Sequence, residues 1–202
     1  KLSVLGSPGA HFFALTSFGA PVDGLQKGML LVSLATGAPF ERSVLYVIEH
    51  SDAGTLAIIL NQPQTSRRER RGAGDGAITV SIRYGGPLEN RDIAPFCLHN
   101  VDHTPGCRRL VPGQSIYITQ NLQRSMEALK STTQPAASLA LFRGFASWGS
   151  HQLEGEVRRG SWGWIEPQHV RPEDVFEMNP EALEATWDRI AYAPWLQLYE
   201  GQ

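Results

Sequence analysis

An α+β single domain is the fold class that this 202-residue chain predicts, and three observations predict it. Strand-length apolar runs fill residues 28–119, helical periods come mostly after residue 120, and no glycine-rich turn links a strand to a helix as a nucleotide-binding α/β fold requires. Hydrophobic residues make up 42% and charged residues 19% of the chain, enough apolar surface to offset the entropy of ordering it, so wholesale disorder is excluded.

Residues 1–27 form an N-terminal arm, rich in Gly, Pro and Ser, with Phe12, Phe13 and Phe18 placed to pack against something. Strands follow over Met29–Ala35, Ser43–Glu49 and Thr55–Leu60. Ser51–Gly54 supplies hairpin chemistry between the last two, and Pro63 stops the run because it cannot donate to a ladder. An Arg- and Gly-rich loop occupies residues 64–77. Strand character resumes at Ile78–Tyr84, Pro95–His99, Ser115–Thr119 and Ser138–Ala146.

Leu122, Met126 and Leu129 fall on one helical stripe. A second helix spans His151–Arg159, with Arg158 and Arg159 in its last turn and Gly160 as its left-handed stop. In the third, Asn179 caps, Pro180 takes the first helical position, and Leu183, Trp187 and Ile190 share a face. The division is thus an arm at 1–27, a domain at 28–190 and a tail at 191–202.

Charge excludes some functions. Lys and Arg total 18 against 20 Asp and Glu, a net charge of −2 that argues against a nucleic-acid coat or a polybasic membrane binder. No apolar run reaches membrane-spanning length, so any membrane association is from beside it. The two cysteines make no disulfide scaffold and point to a reducing compartment. The chain begins at Lys1 without Met, which is compatible with removal of a targeting segment.

Chemistry is sparse. Gly72, Gly74 and Gly76 lack the flanking strand and helix of a phosphate cradle. Cys97, His99, His103 and Cys107 offer four zinc-type ligands, but without a paired C-x2-C knuckle. Three readings stand: a metal site, a Cys97–Cys107 bridge, or a buried Cys and a satisfied His on one strand face. Ser43, Glu49 and His50 suggest a hydrolase, yet Ser43 and His50 lie about 23 Å apart along one strand, out of dyad reach.

Arg67, Arg68, Arg70 and Arg71 give the loop a local positive charge, read either as a solvated run or as a contact to an acidic protein, an anionic lipid or RNA phosphate. Of the five tryptophans, Trp148, Trp162, Trp164 and Trp187 suit a core. Trp195, beyond the last helix, suits a partner.

Several segments, in order, resemble the AlgH/YqgE-like family: Gly28-Met-Leu-Leu-Val, Phe40-Glu-Arg-Ser-Val-Leu-Tyr-Val-Ile-Glu-His50, Leu60-Asn-Gln-Pro63, Gly85-Gly-Pro87, Phe96-Cys-Leu-His99, Ser115-Ile-Tyr-Ile-Thr119 and Gly144-Phe-Ala-Ser-Trp-Gly-Ser-His-Gln-Leu-Glu154, with Glu156 and Trp162. The likeness covers about residues 28–190. It implies a bent mixed β-sheet forming a pseudo-barrel flanked by helices. It implies no enzymatic activity; bacterial members carry a transcription-regulator label, and relatives in plants and algae are plastid-targeted.

Three departures stand out. Gly37-Ala38-Pro39 replaces the family's Asp-Pro, Gln62 replaces the Arg of N-R-P, and Ser150-His151 replaces Pro-Gly in W-G-P-G-Q-L-E. A longer arm together with lost polar residues suggests recruitment as a subunit.

The expectation is a non-catalytic protein acting through contacts with other protein subunits, an accessory part of an organellar assembly, with the plastid favoured over the mitochondrion and the cytoplasm as the alternative. Its candidate contact residues are Phe12, Phe13, Phe18, Arg67, Arg68, Arg70, Arg71 and Trp195. No catalytic residue, metal or cofactor is assigned. A nucleic-acid regulator is the alternative, disfavoured by the charge, and a metal-dependent or hydrolytic enzyme comes after it.

Overall fold

The computed structural model describes residues 24–62, 69–70, 79–80, 82–89, 94–101, 106–131, 138–177 and 179–199. Its first strands are β1 (Leu30–Ser33), β2 (Val44–Ser51) and β3 (Gly54–Ile59). They pair antiparallel in succession, with a bulge in β2 between Val47 and Glu49. Ser51 faces Gly54 across the hairpin turn, where Ser51 Oγ accepts from Ala53 N at 3.3 Å. That is the turn that the Ser-Asp-Ala-Gly chemistry predicts.

The short β4 (Glu69–Arg70) and β5 (Thr79–Val80) make a two-stranded ribbon. Next come β6 (Ile82–Tyr84), β7 (Phe96–His99), β8 (Arg108–Arg109) and β9 (Tyr117–Thr119). Helix α1 (Leu122–Ser131) begins where Asn121 Oδ1 accepts from Arg124 N at 3.2 Å, an N-cap. The remaining elements are β10 (Leu139–Arg143), β11 (Ala146–Gly149), α2 (Gln152–Arg158), β12 (Trp162–Ile165), a 3-10 turn at Pro167–His169, α3 (Pro172–Phe176) and α4 (Pro180–Ala191).

Two five-stranded sheets result. The first, β11-β3-β2-β1-β12, is antiparallel throughout; the second, β6-β10-β7-β9-β8, has one parallel pair, β6 with β10. Strand alternation gives each sheet two apolar faces. Leu30, Val32, Val44, Tyr46 and Ile58 of the first meet Leu98, Ile118, Ala140 and Phe142 of the second in the central core, closed at one end by Val175, Phe176, Trp187 and Ile190 of α3 and α4. The outer face of the first sheet packs Leu45, Val47, Ile59 and Trp164 under Leu153 and Val157 of α2. On the outer face of the second, Cys97, Leu139 and Leu141 lie under Leu122, Met126 and Leu129 of α1.

This is the α+β single domain expected from the sequence, its bent mixed sheet resolved into two facing sheets with helices outside. The sheets join at a glycine corner. Ile59 N donates to Gly85 O at 2.8 Å, Gly85 N donates to Arg143 O at 2.7 Å, and Leu88 bridges Phe145. A Cβ on Gly85 or Gly86 would run into the backbone of Gly144 or Phe145, which is why two glycines stand there.

The same corner corrects one expectation. Ser138–Ala146 is not one strand: Gly144, at φ 78°, turns the chain so that β10 stays in the second sheet and β11 enters the first. The stretch Trp162–Ile165, which carries no alternation of polar and apolar residues, is a fully buried strand.

Candidate functional site

Three of the segments that carry the family likeness, Phe40–His50, Leu60–Pro63 and Gly144–Glu154 with Trp162, meet around the Phe40–Ser43 turn. Asn61, just after β3, accepts from Val44 N at 2.8 Å and donates to Arg42 O at 2.9 Å. Gln62 Nε2 donates to Ser43 Oγ at 2.9 Å. Arg42 sits in the left-handed region at φ 50°, with its guanidinium 4.5 Å over the Trp187 ring and 2.5 Å from Asp188.

Behind the turn, the Phe40 ring lies 5.9 Å from Trp148 and 5.4 Å from Trp162. The buried Glu156 carboxylate accepts both indole N–H groups at 2.9 Å and Gln152 Nε2 at 3.2 Å. The polar groups of this motif therefore face one another. The cavity left between Phe40, Pro87, Trp148 and Gln152 is about 10 Å³, too small for a ligand.

Neither catalytic candidate assembles. Ser43 is fully buried with Gln62 as its neighbour, while His50 Nδ1 lies at the far end of β2, 2.8 Å from Thr55 Oγ1. Cys97 faces Thr119 in the β7–β9 register, and the β8–β9 register carried back one residue puts Cys107 on the other side of Thr119. Two strand spacings of ~4.8 Å separate their Cα atoms by about 9.6 Å, beyond the ~7 Å limit of a disulfide. Both cysteines are free, which answers the bridge reading.

Burial pushes the Cys97 thiol up to about 12 and also raises that of Cys107, so neither is a ready thiolate. His99 is completely buried, stacked on Tyr117 at 5.4 Å, and burial holds its imidazole below its ordinary value, in the neutral form. Among the described residues no three His, Cys, Asp or Glu side chains gather as a metal requires; His103 lies outside them.

The contact candidates fare differently. Phe12, Phe13, Phe18, Arg67, Arg68 and Arg71 lie outside the described residues, and Arg70 is described only as backbone in β4. Trp195 is 38% exposed, and its ring is stacked on His169 at 6.0 Å. Three residues earlier, Tyr192 is 53% exposed.

The segment that presents them is pinned. Ala193 and Leu196 are buried in the central core, and Gln197 exchanges two backbone hydrogen bonds with Trp164, at 2.8 and 3.0 Å, on the free edge of β12. The Pro167–His169 turn also borders a cleft of about 550 Å³, lined by Gln26, Val111, Pro112, Ile116, Pro167 and Val170 among others. Sequence reasoning singled out Trp195 but missed Tyr192 and the cleft. The Val-Pro-Gly-Gln run at 111–114 marks a turn, and nothing in it signals that the turn overhangs a groove.

A family model described as AlgH-like matches residues 30–193. A protein of Myxococcus xanthus named only as a UPF0301 protein is 32% identical over 172 residues, covering 81% of this chain and 87% of its own. A Bartonella quintana UPF0301 protein is 31% identical over 173 residues, covering 78% of this chain and 84% of its own. Among solved structures, a Corynebacterium diphtheriae protein superposes with a TM-score of 0.60 at 20% identity, over 84% of this chain and 88% of that one. The AlgH protein of Pseudomonas aeruginosa superposes with a TM-score of 0.57 at 20% identity, over 82% and 88%. Motif order, two-sheet architecture and family match agree, and the chain belongs to the AlgH-like family.

Proposed function

We propose that this AlgH-like chain is a non-catalytic binding protein that docks another protein through the face carrying Tyr192 and Trp195. The observation that carries the reading is the pair itself: large aromatic side chains exposed at 53% and 38% on a segment held rigid by the core and by the β12 edge. Rigid, exposed aromatics lose little entropy on binding and are the usual anchors of protein interfaces.

Charge supports a protein over a nucleic acid. Lys27, Arg42, Arg108, Arg143, Arg171 and Arg189 share the four carboxylates of Glu49, Glu89, Asp174 and Asp188, so much of their charge is balanced locally. Among the described residues no helix is long and apolar enough to cross a membrane. A place in an organellar assembly, in the plastid first, extends the proposal from the family resemblance. Fractionation of the tagged full-length protein tests it, and recovery outside organelles contradicts it.

A photo-crosslinking residue at Tyr192 tests the docking face. The expected result is one protein adduct, lost when Trp195→Ala is added. Labelling no stronger than at a control position such as Glu127 on α1 overturns the reading.

A further inference from the structure

The cleft of about 550 Å³ bordered by the Pro167–His169 turn has the size of a ligand site. Among the described residues that line it, none is charged and none is aromatic. Val111, Ile116 and Val170 give it aliphatic surface, while Gln26, Ser115 and Gln168 bring amide and hydroxyl groups. Its chemistry is mixed but uncharged.

The walls are held in place by one buried amide. Gln114 Oε1 accepts from the Tyr46 hydroxyl at 2.7 Å, and Nε2 donates to Gly28 O at 3.2 Å and Pro167 O at 2.6 Å. A site fixed in this way before binding loses little entropy when it is filled. The polar groups nearer solvent are open. Among the described residues, the Gln26 carboxamide and the Ser115 hydroxyl have no hydrogen-bond partner, and Gln168, whose Nε2 donates to Glu166, keeps its Oε1 open. Both glutamines are exposed.

These features exclude most ligand classes. A phosphate, a carboxylate or an amine would be buried in the cleft against no opposite charge. A nucleobase or other flat ring would find no aromatic side chain to stack on. A lipid tail would bury the open amides unpaired, and a sugar would set its hydroxyls against the aliphatic groups. A peptide main chain fits. Each of its amides offers one donor and one acceptor, as a glutamine carboxamide does, and an aliphatic side chain on it covers the apolar wall.

We infer that the cleft binds an uncharged, extended peptide segment of a partner protein, with an aliphatic side chain on Val111, Ile116 and Val170 and main-chain amides on Gln26, Ser115 and Gln168. The inference goes beyond the docking role of Tyr192 and Trp195 and does not depend on it, since neither residue lines the cleft.

Amide NMR spectra of the full chain during titration with acetyl-Ala-Val-Ala-amide test it. Saturable shifts are expected at residues 113–116 and at Gln168, with a Kd of about 1 mM or below. The analogues acetyl-Ala-Asp-Ala-amide and acetyl-Ala-Lys-Ala-amide are expected to bind at least about tenfold more weakly. Shifts confined to other parts of the chain, no saturable shift, or equal affinity for all three peptides overturns the inference. Gln168→Ala, whose exposed position leaves the fold intact, is expected to weaken the neutral peptide about threefold to tenfold. Unchanged affinity in that variant overturns the inference as well. The cross-link at Tyr192 is read separately, so failure of one proposal leaves the other decided by its own data.

Discussion

His151 shows how one side chain can be wrong for its backbone. It stands at φ 57°, in the left-handed region, where the related motif carries glycine, and it makes no capping hydrogen bond at the start of α2. A β-carbon there costs roughly 1 kcal/mol, so His151→Gly is expected to stabilise the protein by up to about 1 kcal/mol in urea denaturation. Arg83 is the opposite case, a buried guanidinium that donates to the carbonyls of Leu60, Val175 and Glu177 and lies 5.5 Å over the Phe142 ring. Burial brings it down to about 10, still protonated at neutral pH. Arg83→Ala strands those carbonyls and is expected to cost about 3 kcal/mol by the same assay.

Asp174 links stability to pH. Burial alone would raise its carboxyl, but hydrogen bonds from Arg171 and Arg189 outweigh it and hold the group below its ordinary value. A carboxyl depressed in the folded state contributes stability above its unfolded value of about 3.9, and that stability is lost as pH falls through the folded value. Asp174→Ala is therefore expected to cost about 1–2 kcal/mol at pH 7, with both arginines part-exposed, and progressively less below pH 4. A difference that stays constant down to pH 2 contradicts this assignment.

The elements most open to test are those at the glycine corner. Gly86→Ala puts a methyl into the Phe145 backbone, where the β10–β11 crossover ties the two sheets together. Backbone cannot yield as a side-chain tip can, so the expected loss exceeds about 3 kcal/mol, seen as a collapse of the denaturation midpoint. The hairpin between β2 and β3, the α1 stripe and the Asn179–Pro180 start of α4 were legible in the sequence because each rests on local rules of turn, period or cap. Asn179 Oδ1 does accept from Glu181 N, at 3.0 Å. The break at Gly144 and the strand at Trp162–Ile165 were not legible, because the choice of sheet is made by long-range pairing. The same holds for the site. Trp195 was readable as an exposed aromatic beyond a helix, whereas the cleft exists only once Gln26, residues 111–116 and residues 167–172, distant in sequence, pack side by side.

At the scale of the molecule, the fold spends its polar side chains on itself. Glu156, Gln114, Asn61 and Arg83 each tie separate elements together, and the groups that resemble catalytic machinery are buried or far apart. Among the described residues, the large hydrophobic side chains that face outward are the anchored Tyr192 and Trp195, on a chain of net charge −2. A binding role predicts that these aromatics matter more to assembly than to folding. Trp195→Ala is expected to cost about 1–2 kcal/mol of stability, since its ring is part-covered by His169, while weakening partner binding by at least about 2 kcal/mol, or thirtyfold.

The most direct test of that role is the native mass of the endogenous protein after mild extraction, compared with the same protein carrying Trp195→Ala. Migration well above 22.2 kDa that falls to the free species in the variant is the predicted result. Migration of both at the monomer mass contradicts it.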